Sequence, residues 1–367
     1  MSSNTLSLCM ICKNEENTIG HLLDSVQGDL FDQIVVCDTG STDDTLNVLK
    51  SYNVQIEHFD WIDDFSAARN FSFSKATGDY IMWLDADDYI TPQYYQQLLE
   101  LKKRLHEFSI WLLKYEYAFD EYGNSQASFF RERIVKRDLN LQWNEPIHEY
   151  LKIEHPYTQI DIEIHHHKKE HHTERNLSIL EKIVQNRPHE ARNIYYLGKE
   201  YCDAKNTEKG ISYLKRFVTM PDAWSENKYE AFIRIADYER SCFNEKEVKY
   251  YLYEAIKEVP LKTKAYYYLG NLALDRCEYD EALHWYNLCI SMKRPAKAID
   301  MVENHFNTWF PYLQICVVYD RQGLYREAAI ANEKAMRFRP NDPLMQKNKA
   351  YFSSRLKEKY PLPQEIV

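Results

Sequence analysis

Three carboxylates fall within four residues at Asp85-Ala86-Asp87-Asp88, directly after the apolar run Tyr80 to Leu84. Like charges so close repel one another unless a cation or hydrogen-bond donors offset them. A hard divalent metal such as Mg2+ or Mn2+ uses one or two carboxylates and fills its shell with water and phosphate oxygens. The place in the chain suits that chemistry, because ligands of open α/β sheets bind at the carboxyl ends of strands. The same residues also suit a capped turn ahead of the helix that Pro92 opens, and an acidic triplet alone does not decide between the two.

Further groups with chemistry lie elsewhere. Lys13-Asn14-Glu15-Glu16 follows the first apolar run, Asp38 ends the second, and Arg69 and Asn70 stand on a helix whose N-cap is Asp64 or Ser66. His148-Glu149 sets a base beside an acid, with Asp88 as a third candidate for proton transfer. In Ile162-Glu163-Ile164-His165-His166-His167 the alternation puts His166 on the face of Ile162 and Ile164, which favours it over its two neighbours as a metal ligand. A solvated basic tract running on through Lys168, Lys169, His171 and His172 is the other reading. Asp43 suits the cap of a helix over Thr45 to Ser51, and a structural ion pair is a second account of Asp38 and Arg69. Cys9 and Cys12 are spaced as CxxC, but residues three apart on a strand face opposite ways and do not share one metal.

The elements that must position these groups follow from periodicity. Strands are expected at Leu6 to Ile11, Gln33 to Cys37, Val54 to Phe59, Tyr80 to Leu84 and Ile110 to Tyr117, with helices starting near Asn17, Asp43, Phe65 and Pro92. Right-handed crossovers make the early strands mostly parallel. A turn at Phe119 to Asn124 leads to Ser128 to Val135, Trp143 to Ile153 and Ile160 to Ile164, which are expected to run antiparallel. From about Glu174 the chain turns helical. Small residues at Gly198, Ala236, Gly270 and Cys316 recur 38, 34 and 46 residues apart within an aromatic-x-x-aliphatic-small pattern. Second helices follow at Tyr279 to Ile290 and Tyr325 to Met336, and the pattern resembles tetratricopeptide repeats, whose paired helices bury their apolar faces by stacking. The expected organisation is an α/β domain over residues 1–170 and an all-α repeat domain over 171–367.

The order SLCMICKNEE, IVVCDTGSTDDT, WIDDFSAARNFSFSKATGDYIMWLDADD resembles family 2 glycosyltransferases of the GT-A fold. That resemblance implies that Asp38 holds the uracil or ribose and that Asn14 and Glu15 line the nucleotide pocket. It implies that Asp85, with Ala86 beside it, faces ribose and metal, that Asp87 ligates the metal, and that Arg69 and Asn70 fix the nucleotide-sugar and the acidic loop. Trp143 to Glu149 and Ile162 to His167 further resemble a subgroup fused to tetratricopeptide-like repeats, which includes sublancin-type peptide S-glycosyltransferases. There a His-Glu pair lies near the reaction centre and a strand-ending His reaches the metal; the Gly-Tyr usual after that His is replaced here by Lys168 and Lys169. The implied activity is inverting transfer of a hexose from a UDP-sugar, UDP-glucose first, to a Cys or Ser side chain of a peptide. Glu149 is the base, His148 the second choice, and Asp87, Asp85 and His166 are the metal ligands. Flagellin or a cell-surface glycan precursor is the alternative acceptor.

Bulk properties narrow the field. A net charge of −10 argues against coating nucleic acid or anionic lipid. The N-terminal apolar stretch lacks the basic leader of a signal peptide and no run approaches a membrane span, so a soluble, cytoplasmic protein is expected. The repeats would contact a peptide or protein acceptor, or make a homodimer. A repeat scaffold with a decayed catalytic domain is the competing class, and the clustered charges speak against it. A nucleotidyltransferase would carry a glycine-rich basic loop after the first strand, which Lys13-Asn14-Glu15-Glu16 lacks.

Overall fold

The computed structural model describes residues 4–121, 123, 125–166, 173–293, 299, 301 and 303–359. The chain forms two compact units, Met1–Pro188 with Ile299–Val302, and His189–Ala298 with Glu303–Val367.

In the first unit, β1 (Leu6–Cys12), α1 (Ile19–Ser25), β2 (Gln33–Asp38), α2 (Thr45–Leu49), β3 (Gln55–His58), α3 (Phe65–Ser74) and β4 (Tyr80–Trp83) alternate as strand and helix. They are followed by β5 (Asp88–Tyr89), α4 (Pro92–Lys102), β6 (Ile110–Phe119), β7 (Ser125–Lys136), β8 (Trp143–Asn144), β9 (Tyr150–Leu151), β10 (Tyr157–His166) and α5 (Thr173–Asn186). The main sheet has the order β3-β2-β1-β4-β7-β6-β10-β5. β2 and β4 both run parallel to β1, on opposite sides of it. The crossovers therefore leave β1 in opposite directions, which opens a crevice at the carboxyl ends of β1 and β4.

β1 is buried on both faces, and its residues alternate between two cores. Leu6, Leu8, Met10 and Cys12 join the larger one, whereas Cys9 packs with Val35, Ile81 and Trp83 in the other. Cys9 and Cys12 thus point to opposite faces, as a strand requires, and burial pushes both thiols up to about 12. They are neither a metal pair nor thiolates at neutral pH.

The expected antiparallel character of the later strands holds in part. β7 runs antiparallel to β4 and β6, but β10 runs parallel to β6, which is a correction. The strand expected over Trp143 to Ile153 is instead the short pair β8 and β9 flanking a loop. Glu145 and His148 take left-handed backbone there, at φ 73° and 54°, and interrupt the ladder. α5, grouped by sequence with the repeats, belongs to the first unit. Lys182 bonds Asp63 at 2.8 Å, and Arg187, just past the helix, bonds both carboxylate oxygens of Glu145 at 3.0 and 2.8 Å. The boundary falls at Pro188 rather than at residue 170.

The second unit consists of helix pairs α6/α7 (Ala191–Asp203, Thr207–Phe217), α8/α9 (Ser225–Ser241, Glu245–Glu258), α10/α11 (Lys264–Asp275, Tyr279–Ser291) and α12/α13 (Trp309–Arg321, Tyr325–Met336), then α14 (Pro343–Lys359). The small residues lie where the paired helices touch: a Cβ on Gly270 would come within 2.5 Å of the Tyr286 ring, and one on Gly198 within 2.9 Å of Leu214. Seven residues after each small residue stands a left-handed residue, Lys205, Phe243, Cys277 and Gly323. All four turns make the same pair of bonds; in one, Phe243 N–H donates to the Arg240 carbonyl and Asn244 N–H to that of Glu239, at 3.1 and 3.0 Å. This satisfies the last carbonyls of the first helix of each pair. Glycine occupies the position once. Phe243 is 97% exposed, so its ring gains little packing for the strained backbone. Phe243→Gly is therefore expected to stabilise the unit by about 1 kcal/mol, read as a raised urea midpoint; a lowered midpoint would mean that the ring packs.

Among the described residues, no helix is long and apolar enough to cross a membrane.

Candidate active site

A cleft of about 850 Å³ opens at the carboxyl ends of β1 and β4. Asn14, Glu15, Arg69, Asp85, Ala86, Asp87, His148, Glu149 and His166 all line it. Nine positions chosen from sequence thus meet in one place, although they span the chain from β1 to β10.

Arg69 organises the centre. It sits on α3, which starts where the Asp64 carboxylate accepts the Ala67 N–H at 2.9 Å. Its Nε donates to Glu149 Oε1 and its Nη2 to Asp85 Oδ1, each at 2.6 Å. The guanidinium lies against both the Trp83 and Trp143 rings, 5.0 Å from each centroid, and those indoles meet edge to face at 4.9 Å. Burial would push the Asp85 carboxyl up, but Arg69 and Arg133 outweigh it and hold Asp85 well below the usual carboxylate range. This arginine is engaged with protein, so it positions the acidic turn and Glu149.

The acids of the turn have separate fates. Asp88 is buried: Oδ1 accepts the Tyr115 hydroxyl at 2.8 Å, while Oδ2 accepts the Asp85 N–H at 3.0 Å and pairs with Arg133 at 3.1 Å. With both oxygens committed, Asp88 is a poor base, which corrects that assignment. Asp87 differs. Burial, then Asp85 and Asp88, push its carboxyl up to about 7, against the pull of His166. His166 Nδ1 lies 3.7 Å from Asp87 Oδ1 and 3.4 Å from Asp88 Oδ1, and its ring stacks on Tyr117 at 5.5 Å. Burial would lower the imidazole, but Asp88 and Asp87 raise it on balance. Ligand atoms of Asp87, Asp88 and His166 lie within 4.8 Å of one another. Asp85, turned toward Arg69, stands outside that triplet, so of the expected Asp87, Asp85, His166 set the structure brings together Asp87 and His166, with Asp88 beside them.

The histidine choice follows from pairing. β10 lies antiparallel to β5 with His166 opposite Asp88 and His165 opposite Tyr89. His165 bonds Glu163 at 3.0 Å and the Tyr89 hydroxyl at 3.3 Å, and is not part of the group formed by Asp87, Asp88 and His166. Residue 167 lies outside the described residues.

Two residues expected at the nucleotide, Asp38 and Asn70, are not among those that line the cleft, and both bond within the protein. Asp38 is buried, accepts the Gly40 and Ser41 N–H groups at 3.1 and 3.2 Å and shapes the turn after β2. The Asn70 amide grips Trp143 from both sides, donating to its carbonyl at 3.0 Å and accepting its N–H at 2.8 Å. With the Phe65 N–H on the Pro146 carbonyl at 2.8 Å, this pins the loop that carries His148 and Glu149. Asn70→Ala removes both grips and is expected to cost about 1–3 kcal/mol in urea unfolding, with faster hydrogen exchange at Trp143. An unchanged midpoint and exchange rate would show the loop to be held without it. The helix expected to be capped by Asp43 over Thr45 to Ser51 is shorter, Thr45–Leu49, and its N-cap is Asp44 without a side-chain cap bond; Asp43, one residue earlier, accepts the Thr45 N–H at 3.0 Å.

Sequence reading missed Arg131 and Arg133 on β7, and Trp61, Arg175 and Asn176, which line the cleft with Arg131. The first two had a signal in the i, i+2 cations of Arg131-Glu132-Arg133. The others reach the cleft from a loop and from α5, and no local pattern marks them.

The fold and this constellation define a GT-A-type α/β domain followed by tetratricopeptide-like helical repeats. Residues 7–162 match the family model described as Glycosyl transferase family 2. The chain's relatives include a TPR repeat-containing protein of Synechococcus elongatus, 33% identical over 144 residues, which is 39% of this chain and 34% of that protein. They also include the SPbeta prophage-derived glycosyltransferase SunS of Bacillus subtilis, 26% identical over 238 residues, 61% of this chain and 56% of that one. The chain spans about a third and about half of the lengths of these curated relatives. Among solved structures, S. aureus TarS 1-349 in complex with UDP-GlcNAc aligns over 69% of this chain and 91% of that one, at 15% identity and a TM-score of 0.40.

Proposed function

We propose that the protein is a metal-dependent, inverting glycosyltransferase that moves a hexose from a UDP-sugar to a Cys or Ser side chain of a peptide. The observation that carries this reading is one cleft, at the carboxyl ends of β1 and β4, that contains both the Asp87–His166 pair and the Arg69-held Glu149. The family match and the likeness to a glycosyltransferase support glycosyl transfer, and the sublancin-type resemblance supports the peptide acceptor.

The residues present fit a divalent ion. Ligand atoms of Asp87, Asp88 and His166 lie within reach of one ion, and an oxygen and imidazole donor set suits Mn2+ or Mg2+. Asp87 and His166 would hold it, with Asp88 alongside; when bound, it supplies positive charge to the departing diphosphate. The rest falls to the chain itself. Glu149 takes the proton of the acceptor thiol or hydroxyl as its sulfur or oxygen attacks the anomeric carbon. The bond from that carbon to the diphosphate oxygen breaks with its electron pair, and a single displacement of this kind inverts the centre. Arg69 keeps Glu149 in register with the acidic turn, and His148 is the alternative proton acceptor. A thiol acceptor, being the stronger acid, asks less of either base. The helical repeats supply the surface for the acceptor or for a second copy of the chain.

The test is to incubate the purified protein with a panel of UDP-sugars and Mn2+ or Mg2+, with and without EDTA, following donor hydrolysis and then transfer to peptides. Metal-dependent hydrolysis with at least one donor is expected. Failure with every combination would sink the enzyme reading, and hydrolysis with transfer only to glycans would move the acceptor to a cell-surface precursor.

A further inference from the structure

Three guanidinium groups surround the Trp83 indole, Arg69 and Arg131 at 5.0 Å and Arg133 at 3.9 Å from the ring centroid. Two of them answer acids of the turn that follows Trp83: Arg69 pairs with Asp85 and Arg133 with Asp88. Asp87 faces His166. Arg131 has no counterpart in the turn. Its one carboxylate partner among the described residues is Glu132, its neighbour in the chain, at 3.2 Å. A guanidinium offers five N–H donors in a planar fork, so most of its hydrogen-bonding capacity remains for a ligand. The side chain is 27% exposed, and that exposure is to the cleft.

Its place in the fold indicates which group it meets. β7 runs antiparallel to β4 with Met82 opposite Ile134. Against β6, Trp111 faces Ile134 and Leu112 faces Glu132, so Arg133 is the extra residue of a bulge. Bulges re-aim side chains next to functional sites. The Trp83 indole N–H donates to the Glu132 carbonyl at 2.5 Å, which ties this stretch to the end of β4. Arg131 therefore stands just past the carboxyl end of β4, beside the acidic turn, where phosphorylated ligands of such sheets bind.

We propose that Arg131 is a donor-binding residue that grips the diphosphate of the nucleotide-sugar through its guanidinium fork, next to the Asp87–His166 pair. This rests on the reading of the chain as a nucleotide-sugar transferase. The diphosphate of such a donor carries two negative charges, and a third develops as the bond to the anomeric carbon breaks. A divalent ion and one guanidinium together match that charge, and an arginine fork suits phosphate oxygens geometrically. The other two arginines around Trp83 hold the site in shape.

Titration calorimetry of the full chain with UDP and with uridine, each in the presence of Mn2+, tests this on the wild type, Arg131→Met and Arg131→Lys. Loss of the fork is expected to weaken UDP binding roughly 10- to 100-fold in the Met variant. Lys should restore part of it, because it keeps the charge and loses the planar geometry. Uridine, lacking the diphosphate, should bind all three alike. A wild type that fails to bind UDP overturns the donor reading and this inference together. A wild type that binds UDP, with a Met variant that binds it equally well, overturns the inference alone. A Met variant with intact UDP affinity and a raised acceptor KM would assign the guanidinium to an acidic group of the acceptor instead. If the Met variant does not fold, Arg131→Gln makes the same comparison with a polar side chain.

Discussion

Asp87→Asn is expected to lower donor hydrolysis and sugar transfer about a thousandfold or more, equivalent to about 4 kcal/mol of barrier. The fold should survive, because Asp87 is the acid of the turn that answers no arginine: Asp85 has Arg69 and Asp88 has Arg133. The amide should even stabilise the metal-free protein at alkaline pH. Burial and two neighbouring carboxylates push the Asp87 carboxyl up to about 7, whereas an unfolded Asp titrates near about 4. The unfolded chain thus gives up this proton first. The contribution of Asp87 to the stability of the metal-free wild type falls as pH rises from about 4 to about 7 and levels off above that. The Asn variant should lack that slope. The same protons compete with the metal: binding of Mn2+ should weaken below about pH 7 as Asp87 takes up its proton, and His166, raised by its acidic neighbours, should reinforce the effect. Calorimetry with Mn2+ across pH, urea unfolding and a hydrolysis assay give the three readouts. Substantial turnover by the Asn variant would place the metal elsewhere.

Arg69→Leu should be the most damaging change to the fold. It leaves Asp85 and Glu149 without their shared cation, at side-chain exposures of 30% and 13%. Breaking a buried pair by removing one partner typically costs about 3–5 kcal/mol, and loss of the guanidinium contacts with Trp83 and Trp143 adds to it. The cost should depend on pH with a predictable sign. In the wild type Asp85 is held well below the usual range, so its contribution is present above the unfolded value near about 4 and is lost as pH falls below that. The Leu variant has no such contribution to lose, and the stability difference between the two proteins should shrink in acid. Urea midpoints from alkaline pH down to about pH 3 measure this; equal midpoints at neutral pH would show that the tryptophans and the sheet hold the site without the arginine. Arg69→Lys should recover only part, since one ammonium does not reproduce two divergent N–H bonds of 2.6 Å.

Much of this molecule was legible in its residues because the signals are local. Alternating apolar residues placed β1, β2 and β4, and an acidic turn after a buried strand marked the crevice. The alternation of Ile162, Ile164 and His166 put His166 on the side of its strand where it meets Asp87 and Asp88, because side chains two apart on a strand share a face. The spacing of Gly198, Ala236, Gly270 and Cys316 located the paired helices, and the left-handed turns recur at the same 38, 34 and 46 residue intervals.

What remained illegible depends on contacts distant in sequence. Nothing local says that Asn70 grips Trp143, that Arg69 joins Asp85 to Glu149, or that Asp88 is buried under Tyr115 and Arg133. Each of those roles is set by which strand lies beside which. The parallel placement of β10 against β6, the bulge at Arg133 and the packing of α5 on the first unit are likewise outcomes of the whole sheet. Residue type and period determined which groups were available and which way each faced along its own element. Only the tertiary structure decided their pairing, because a charge buried in a protein takes whichever partner the surrounding fold brings within hydrogen-bonding distance.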